Sequence, residues 1–258
     1  MNFRASRPLI AAVVGIIALA PAGARADDAV TLKYTDKVGD KLRQQIVIKA
    51  SVQGIDAIMT NIQQSLIKEI KDTGDVTLLV TDEGGTLTLM GNDQKQEPSP
   101  DVTIKRDKTG KISSWKPATD ITGALPPEFL QTSAQFNTVI LPTTPVKEKD
   151  TWKLELDNPM FKAKKIKIEN TYVGIEKVDG VDLWKIKQTA NVPTDGEGGV
   201  AVFEGTFWLN PATGRPAKVE GKAKDVPSQF GKLSFTITIT PAKAATAATA
   251  PDKAAAPK

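Results

Sequence analysis

Two short stretches hold the densest carboxylate chemistry of this chain, Thr194-Asp195-Gly196-Glu197-Gly198-Gly199 and Asp82-Glu83-Gly84-Gly85. Neighbouring acids could serve a hydrolase, and a glycosidase needs two of them at a set separation in a cleft with sugar-stacking aromatics. The surrounding glycines point elsewhere. A polar, glycine-rich stretch between strand-like runs reads as a hairpin loop in the first case and a turn in the second. Aromatic platforms are also few, with 4 Trp, 2 Tyr and 8 Phe in 258 residues.

Composition removes most other chemistry. The chain has no histidine and no cysteine, so imidazole bases, thiolate nucleophiles and soft metal-ligand sets are missing. Calcium needs oxygen ligands only, but no Asp-x-Asp-x-Asp-Gly loop followed by a glutamate occurs, and Asp157-Asn158 and Asn92-Asp93 are isolated pairs. Gly196 to Gly199 lead into the strand-like Val200-Ala201-Val202-Phe203 rather than a helix, which argues against a phosphate cradle. The expectation is a protein without catalytic residues, metal ligands or cofactors, whose ligand-binding residues carry no motif.

The first 26 residues read as an export signal: basic Arg4 and Arg7, an apolar run from Leu9 to Ala20, then the small-x-small site Ala24-Arg25-Ala26. The apolar run is too short to cross a bilayer core, which takes about 20 residues. No cysteine follows it, so no lipid anchor is expected. Cleavage would start the working chain near Asp27 and place it in the periplasm or outside the cell. The formal charge of +4 then misleads, because residues 1–26 hold three arginines and no acid. The remaining chain is close to neutral, which excludes a basic footprint for nucleic acid or an anionic membrane.

What the elements look like follows from side-chain period. Leu233, Phe235, Ile237 and Ile239 alternate with Ser234, Thr236, Thr238 and Thr240, a half-buried antiparallel strand. The same period runs through Trp152 to Leu156, through Lys165 to Glu169, where Lys162, Lys164, Lys165 and Lys167 make a solvated strip, and through Thr86 to Leu89 and Phe203 to Leu209. Asp179-Gly180 is a type I′ hairpin signal between strands near 165–178 and 181–191. Gly84-Gly85, Thr109-Gly110 and Thr213-Gly214 offer further tight reversals. Without cysteines, stability must come from apolar burial and sheet hydrogen bonds.

Segment 55–70 admits two readings. Ile55, Ile58, Met59, Ile62, Leu66 and Ile70 fall on one helical arc, with Ile67 misplaced, but Ile58, Ile62, Leu66 and Ile70 also share one face of a long strand, the reading adopted here. A short helix is expected near 126–137, starting at Pro126-Pro127, with Phe129, Leu130 and Phe136 on one face and Leu141-Pro142 beyond it. It would bridge two halves or cap an open sheet end. Val38-Gly39-Asp40 and Lys149-Asp150-Thr151-Trp152 each open a strand, and Asp107 to Lys111 and Asn210 to Arg215 each join two, so one reading is a duplication with halves 30–141 and 142–241. The Ala/Pro/Lys-rich tail at 242–258 holds no large apolar residue and is expected to be disordered. Trp115, Trp152, Trp184 and Trp208 all lie on strand candidates; they pack a core or, with Phe129, Phe136 and Phe161, line an apolar groove on a concave sheet.

The order of signal, Val-Gly-Asp strand opening, Leu-Pro-x-x-Pro-Val at Leu141 to Val146, and Asp150-Thr151-Trp152 resembles uncharacterised exported β-rich proteins of bacteria, over residues 30–240. More remotely it looks like the curved antiparallel half-barrels of periplasmic lipoprotein carriers and related lipid-binding proteins. That resemblance implies an apolar concave face, covered by helix, that holds acyl chains. No carrier motif matches residue by residue, and the lipidated cysteine of anchored members is missing.

The fold class expected is mainly β: one curved antiparallel sheet, or two pseudo-repeated sheets, with a short helix. The function expected is noncatalytic binding of a lipid or other apolar small molecule in the cell envelope. The alternatives are an interaction module for another envelope protein and a carboxylate-based hydrolase.

Overall fold

The computed structural model of the chain describes residues 28–52, 54–119, 127–158, 161, 163–194, 199–228 and 231–242. The export signal and nearly all of the Ala/Pro/Lys tail lie outside the described residues. So do Asp195, Glu197 and Lys162, and the side chain of Phe129.

Alternating sequence has become one 12-stranded antiparallel sheet. In chain order the strands are β1 (Lys41–Val52), β2 (Ile55–Ile70), β3 (Val76–Leu89), β4 (Asn92–Gln96), β5 (Val102–Arg106) and β6 (Ile112–Pro117). The helix α1 (Pro127–Phe136) follows. Then come β7 (Thr151–Asp157), β8 (Lys165–Val178), β9 (Val181–Pro193), β10 (Val200–Leu209), β11 (Pro216–Ser228) and β12 (Gly231–Pro241). The spatial order is β6-β5-β3-β2-β1-β12-β11-β10-β9-β8-β7, with β4 added beside β3. Each half is therefore a meander, and the halves join where β1 pairs with β12. The edges are β6 and β7, and α1 is the connection between them.

Segment 55–70 is a strand, and its irregularity has a cause. Alternation in β2 is regular through Ile67, which shares a face with Met59, Asn61, Gln63 and Ser65 opposite Ile58, Ile62 and Leu66, and it breaks at a register shift between Ile67 and Glu69. The hairpin at Asp179-Gly180 forms as expected, with both residues at positive φ, 49° and 83°, and Val178 facing Val181. Gly84-Gly85 is not a reversal. It lies inside β3 as a bulge, where the outer partner of β3 changes from β5, paired to Val76–Val80, to β4, paired to Gly85–Leu89. The buried Asp82 carboxylate stitches this junction by accepting N–H groups from Gly84 at 2.9 Å and Ser99 at 3.1 Å and the Asn61 amide at 3.3 Å. An acid pair that looked like a loop is a sheet-repair device.

The packed core lies on one face of the second half. Two crossing segments, joined by mutual Val30 and Val146 hydrogen bonds of 2.8 and 2.9 Å, bring Leu32, Val139, Leu141 and Val146 down onto Tyr172, Ile186, Phe207 and Leu209. Phe207 is 0% exposed. A second cluster joins Ile166, Ile168 and Ala190 to Val192, Ala201, Ala223 and Val226. Lys165, Lys167 and Glu169 on the other face of β8 remain exposed, as alternation requires.

Candidate functional site

The same face in the first half is not filled. There the sheet and α1 flank a part-open cavity of about 400 Å³. Its floor comes from alternate residues of neighbouring strands, brought level by the ladder. Ile48 faces Met59, Ile46 faces Asn61, Gln44 faces Gln63 and Leu42 faces Ser65. Leu78, Val80, Val102 and Ile104 continue the wall toward Trp115 at the β6 edge. Across the top α1 contributes Leu130, Ser133 and Ala134, and Asn137 follows just past its end, at the three- and four-residue spacing of one face.

The helix is fixed to the edge it covers. Buried Gln135 accepts the Ile112 N–H at 2.7 Å and donates to the Gly110 carbonyl at 3.3 Å and the Thr138 hydroxyl at 2.9 Å, so a side-chain amide replaces the strand that β6 lacks. Phe136 turns away from the cavity and stacks on Phe203, with centroids 4.5 Å apart.

Charge closes one end of the trough. Asp36 bonds both Arg106 and Arg215, the latter at 2.9 Å, and Arg215 also reaches Asp40 at 2.9 Å. The Asp36 and Arg106 side chains are 5% and 7% exposed. The Arg106 guanidinium carbon lies 4.2 Å from the Tyr34 ring centroid, and the Tyr34 hydroxyl donates to the Val139 carbonyl at 2.8 Å. Burial of that hydroxyl pushes its pKa up to about 12 against the opposing pull of Arg106.

Why the cavity sits in the first half can be read from matching turns. The Asp40 and Asp150 carboxylates each accept an N–H three residues back, from Lys37 at 3.1 Å and Lys147 at 2.8 Å. The residue before each aspartate has positive φ, Gly39 at 90° and Lys149 at 72°. Their N–H groups bond the carbonyls of Ile67 and Tyr172, whose own N–H groups return to Asp40 and Asp150. Following the ladders outward from these fixed points sets Leu78 against Ile186 and Ile104 against Phe207. Val76 likewise corresponds to Trp184 and Leu42 to Trp152. At these positions, and at Ile67 against Tyr172, the first half carries aliphatic side chains, whereas all the second-half counterparts but Ile186 are aromatic. Trp115 against Val219 runs the other way. In the second half these rings pack with Leu32, Val139, Leu141 and Val146 of the crossing segments.

The sequence-level candidates separate accordingly. Of the four tryptophans Trp115 lines the cavity, while Trp184 and Trp152 belong to the second-half core, the Trp152 indole N–H donating to the Ile140 carbonyl at 2.8 Å. Trp208 lies on the opposite sheet face from Phe207, between Lys185 and Lys218, with its N–H on Glu176 at 3.0 Å. Phe136 lines a much smaller pocket of about 20 Å³, and Phe161 lines neither. What sequence reading missed is the floor. The apolar set of β2, Ile58, Ile62 and Leu66, points away from the cavity, and the mixed set Met59, Asn61, Gln63 and Ser65 faces it.

The sequence matches no protein-family model and no curated protein. Among solved structures, one of lipid-protein interactions in lipovitellin superposes at a TM-score of 0.42 with 8% identity, covering 80% of this chain and 25% of that chain. This chain thus spans a quarter of the length of lipovitellin. A DUF1329 family protein from Desulfovibrio piger has a TM-score of 0.23 at 11% identity, covering 78% of this chain and 84% of that chain. A domain assigned as an outer membrane lipoprotein-sorting protein, from Vibrio parahaemolyticus, has a TM-score of 0.24 at 12% identity, covering 81% and 86%. The similarity is remote and concerns the outline of the fold.

Proposed function

We propose that this chain is a noncatalytic, exported envelope protein that holds a lipid or other apolar small molecule between α1 and the first half of the sheet. One observation carries the reading: a face that is packed over β7–β10 leaves a mainly apolar volume of about 400 Å³ between α1 and the strands β1, β2, β3, β5 and β6, reaching Val219 of β11 and Ile239 of β12. That volume falls within the ~300–1,000 Å³ of small-molecule sites. Affinity would come from burial, at ~25 cal/mol per Å² of apolar surface. The nearby carboxylates Asp36 and Asp40 are committed to arginines and Asp82 to N–H donors, which supports a noncatalytic role. Residues 1–26, read as an export signal, would place it in the periplasm or outside the cell.

Native mass spectrometry of the mature protein, followed by organic extraction, tests this. Recovery of a stoichiometric lipid is expected; a protein that emerges empty and fails to take up a fluorescent fatty-acid probe contradicts it.

A second reading, a contact with another envelope protein, draws on two neighbouring hairpin tips. Ile55 is 44% and Met90 75% exposed there, and the Met90 N–H lies 3.5 Å from the Asp56 carbonyl. Serine at both positions should abolish co-purification of a partner if that contact exists.

A further inference from the structure

We infer that the molecule held in this cavity carries an uncharged hydrogen-bonding group part of the way along its apolar body, such as the ester and hydroxyls of a monoacylglycerol, and that a free carboxylate is disfavoured. This rests on the proposed binding function and specifies its ligand class.

The floor is apolar at both ends and amide-rich between. Gln44 and Gln63 face each other across β1 and β2, with Ser65 one level to one side and Asn61 one level to the other. Beyond them lie Leu42 and Ile67 in one direction and Ile48 and Met59 in the other. These polar groups are poorly satisfied. The Gln63 amide has no hydrogen-bond partner among the described residues, and the Gln44 amide has a long contact of 3.4 Å to the Pro216 carbonyl. Asn61 donates to Asp82, but its Oδ1 is buried with no partner. Above them the Asn137 side chain, just past the end of α1, is likewise without a partner among the described residues. A buried acceptor left unpaired is costly, so the Asn61 Oδ1 calls for water or a ligand, and the half-buried Gln63 and Asn137 amides are open to the same partner. In the packed half Gln188 donates to the Asn170 oxygen at 3.1 Å, and the Asn170 Nδ2 is the one buried polar side-chain atom left without a partner there among the described residues.

Charge decides the kind of polar group. Arg106 and Arg215 are the charged residues among those lining the cavity, and Asp36 and Asp40 already neutralise them. An anionic head therefore finds no uncompensated cation and loses its hydration. Amides can donate to an ester carbonyl and accept from a hydroxyl at no such cost.

The test uses the full mature chain and displacement of a fluorescent apolar dye by a monoacylglycerol and by the fatty acid of equal chain length, at pH 8 where the acid is ionised. The monoacylglycerol is expected to bind at least tenfold more tightly, about 1.4 kcal/mol. Gln63→Leu should bring the ratio of the two affinities close to one, and Asn137→Leu serves as a second variant should Gln63→Leu fail to fold. Equal or tighter binding of the fatty acid, or a ratio that neither substitution changes, overturns the inference while leaving the binding function intact. A dye that does not bind at all overturns both.

Discussion

Replacing Ile104 by Phe would give the first half the side chain that the second half carries at the corresponding position, Phe207, and should convert part of the cavity into core. Ile104 stands between Leu78 and Trp115 on the wall. The added ring atoms occupy on the order of 30 Å³, one water's share of liquid volume. At about 24 cal/mol per Å³ of cavity removed, the gain is ~0.7 kcal/mol. Adding Leu42→Trp, the counterpart of Trp152, fills on the order of 60 Å³ more and brings the total to ~2 kcal/mol. Urea denaturation reads this as a higher midpoint at unchanged slope. Titration with a fluorescent acyl probe should show affinity falling at least tenfold, about 1.4 kcal/mol. Wild-type probe affinity in the double variant, or a loss of stability of more than ~1 kcal/mol from overpacking, would refute the reasoning that this volume is both spare and occupied by ligand.

Three further outcomes follow from the cavity's closed end and its turns. Tyr34 has its folded-state pKa raised from 10.0 to about 12, so its protonated form stabilises the fold fully below pH 10 and this contribution, ~3 kcal/mol at ~1.4 per unit, is lost as pH rises through 12. Since Tyr172, the other tyrosine of the chain, is also raised, by burial and by the nearby Glu148 carboxylate, an ultraviolet titration should show less than half of the tyrosine ionised at pH 10. Asp36→Ala leaves the buried Arg106 guanidinium without a carboxylate and Arg215 with Asp40 alone, and should cost ~3–5 kcal/mol in denaturant unfolding. Gly214→Ala places a Cβ 2.1 Å from the Lys33 carbonyl oxygen at a φ of +69°, and a loss of more than ~2 kcal/mol is expected in the same assay.

Strand identity was legible in the sequence because a sheet with one dry face writes a two-residue period directly into the chain, as β8 and β12 do. The Asp179-Gly180 hairpin was equally plain, since positive φ restricts the residues that can occupy it. Pairing between β1 and β12 was not legible, because nothing local marks two strands nearly two hundred residues apart as neighbours. The cavity was hidden for a different reason. Its floor residues Gln44, Asn61, Gln63 and Ser65 look like a solvent face, while Ile58, Ile62 and Leu66 on the outer face look like core. Bulges in β2 and β3 compound this, since each flips the following residues to the other face. Asp82-Glu83-Gly84-Gly85 had the composition of a turn, and only the change of partner along β3 explains why those residues bend a continuous strand. The filled and open halves differ by ring-for-aliphatic exchanges and by the crossing segments that lay Leu32, Val139, Leu141 and Val146 on the second half, a contrast that appears once the matching turns align them.

The most direct measurement is fluorescence quenching by a monoacylglycerol brominated on its acyl chain. Trp115 lines the cavity, and Trp152 and Trp184 lie in the packed half. The lipid should quench the wild-type protein and the Trp152→Phe variant and lose most of its effect in Trp115→Phe. Quenching that persists undiminished in Trp115→Phe, or is absent from the wild type, would contradict a ligand seated beneath α1.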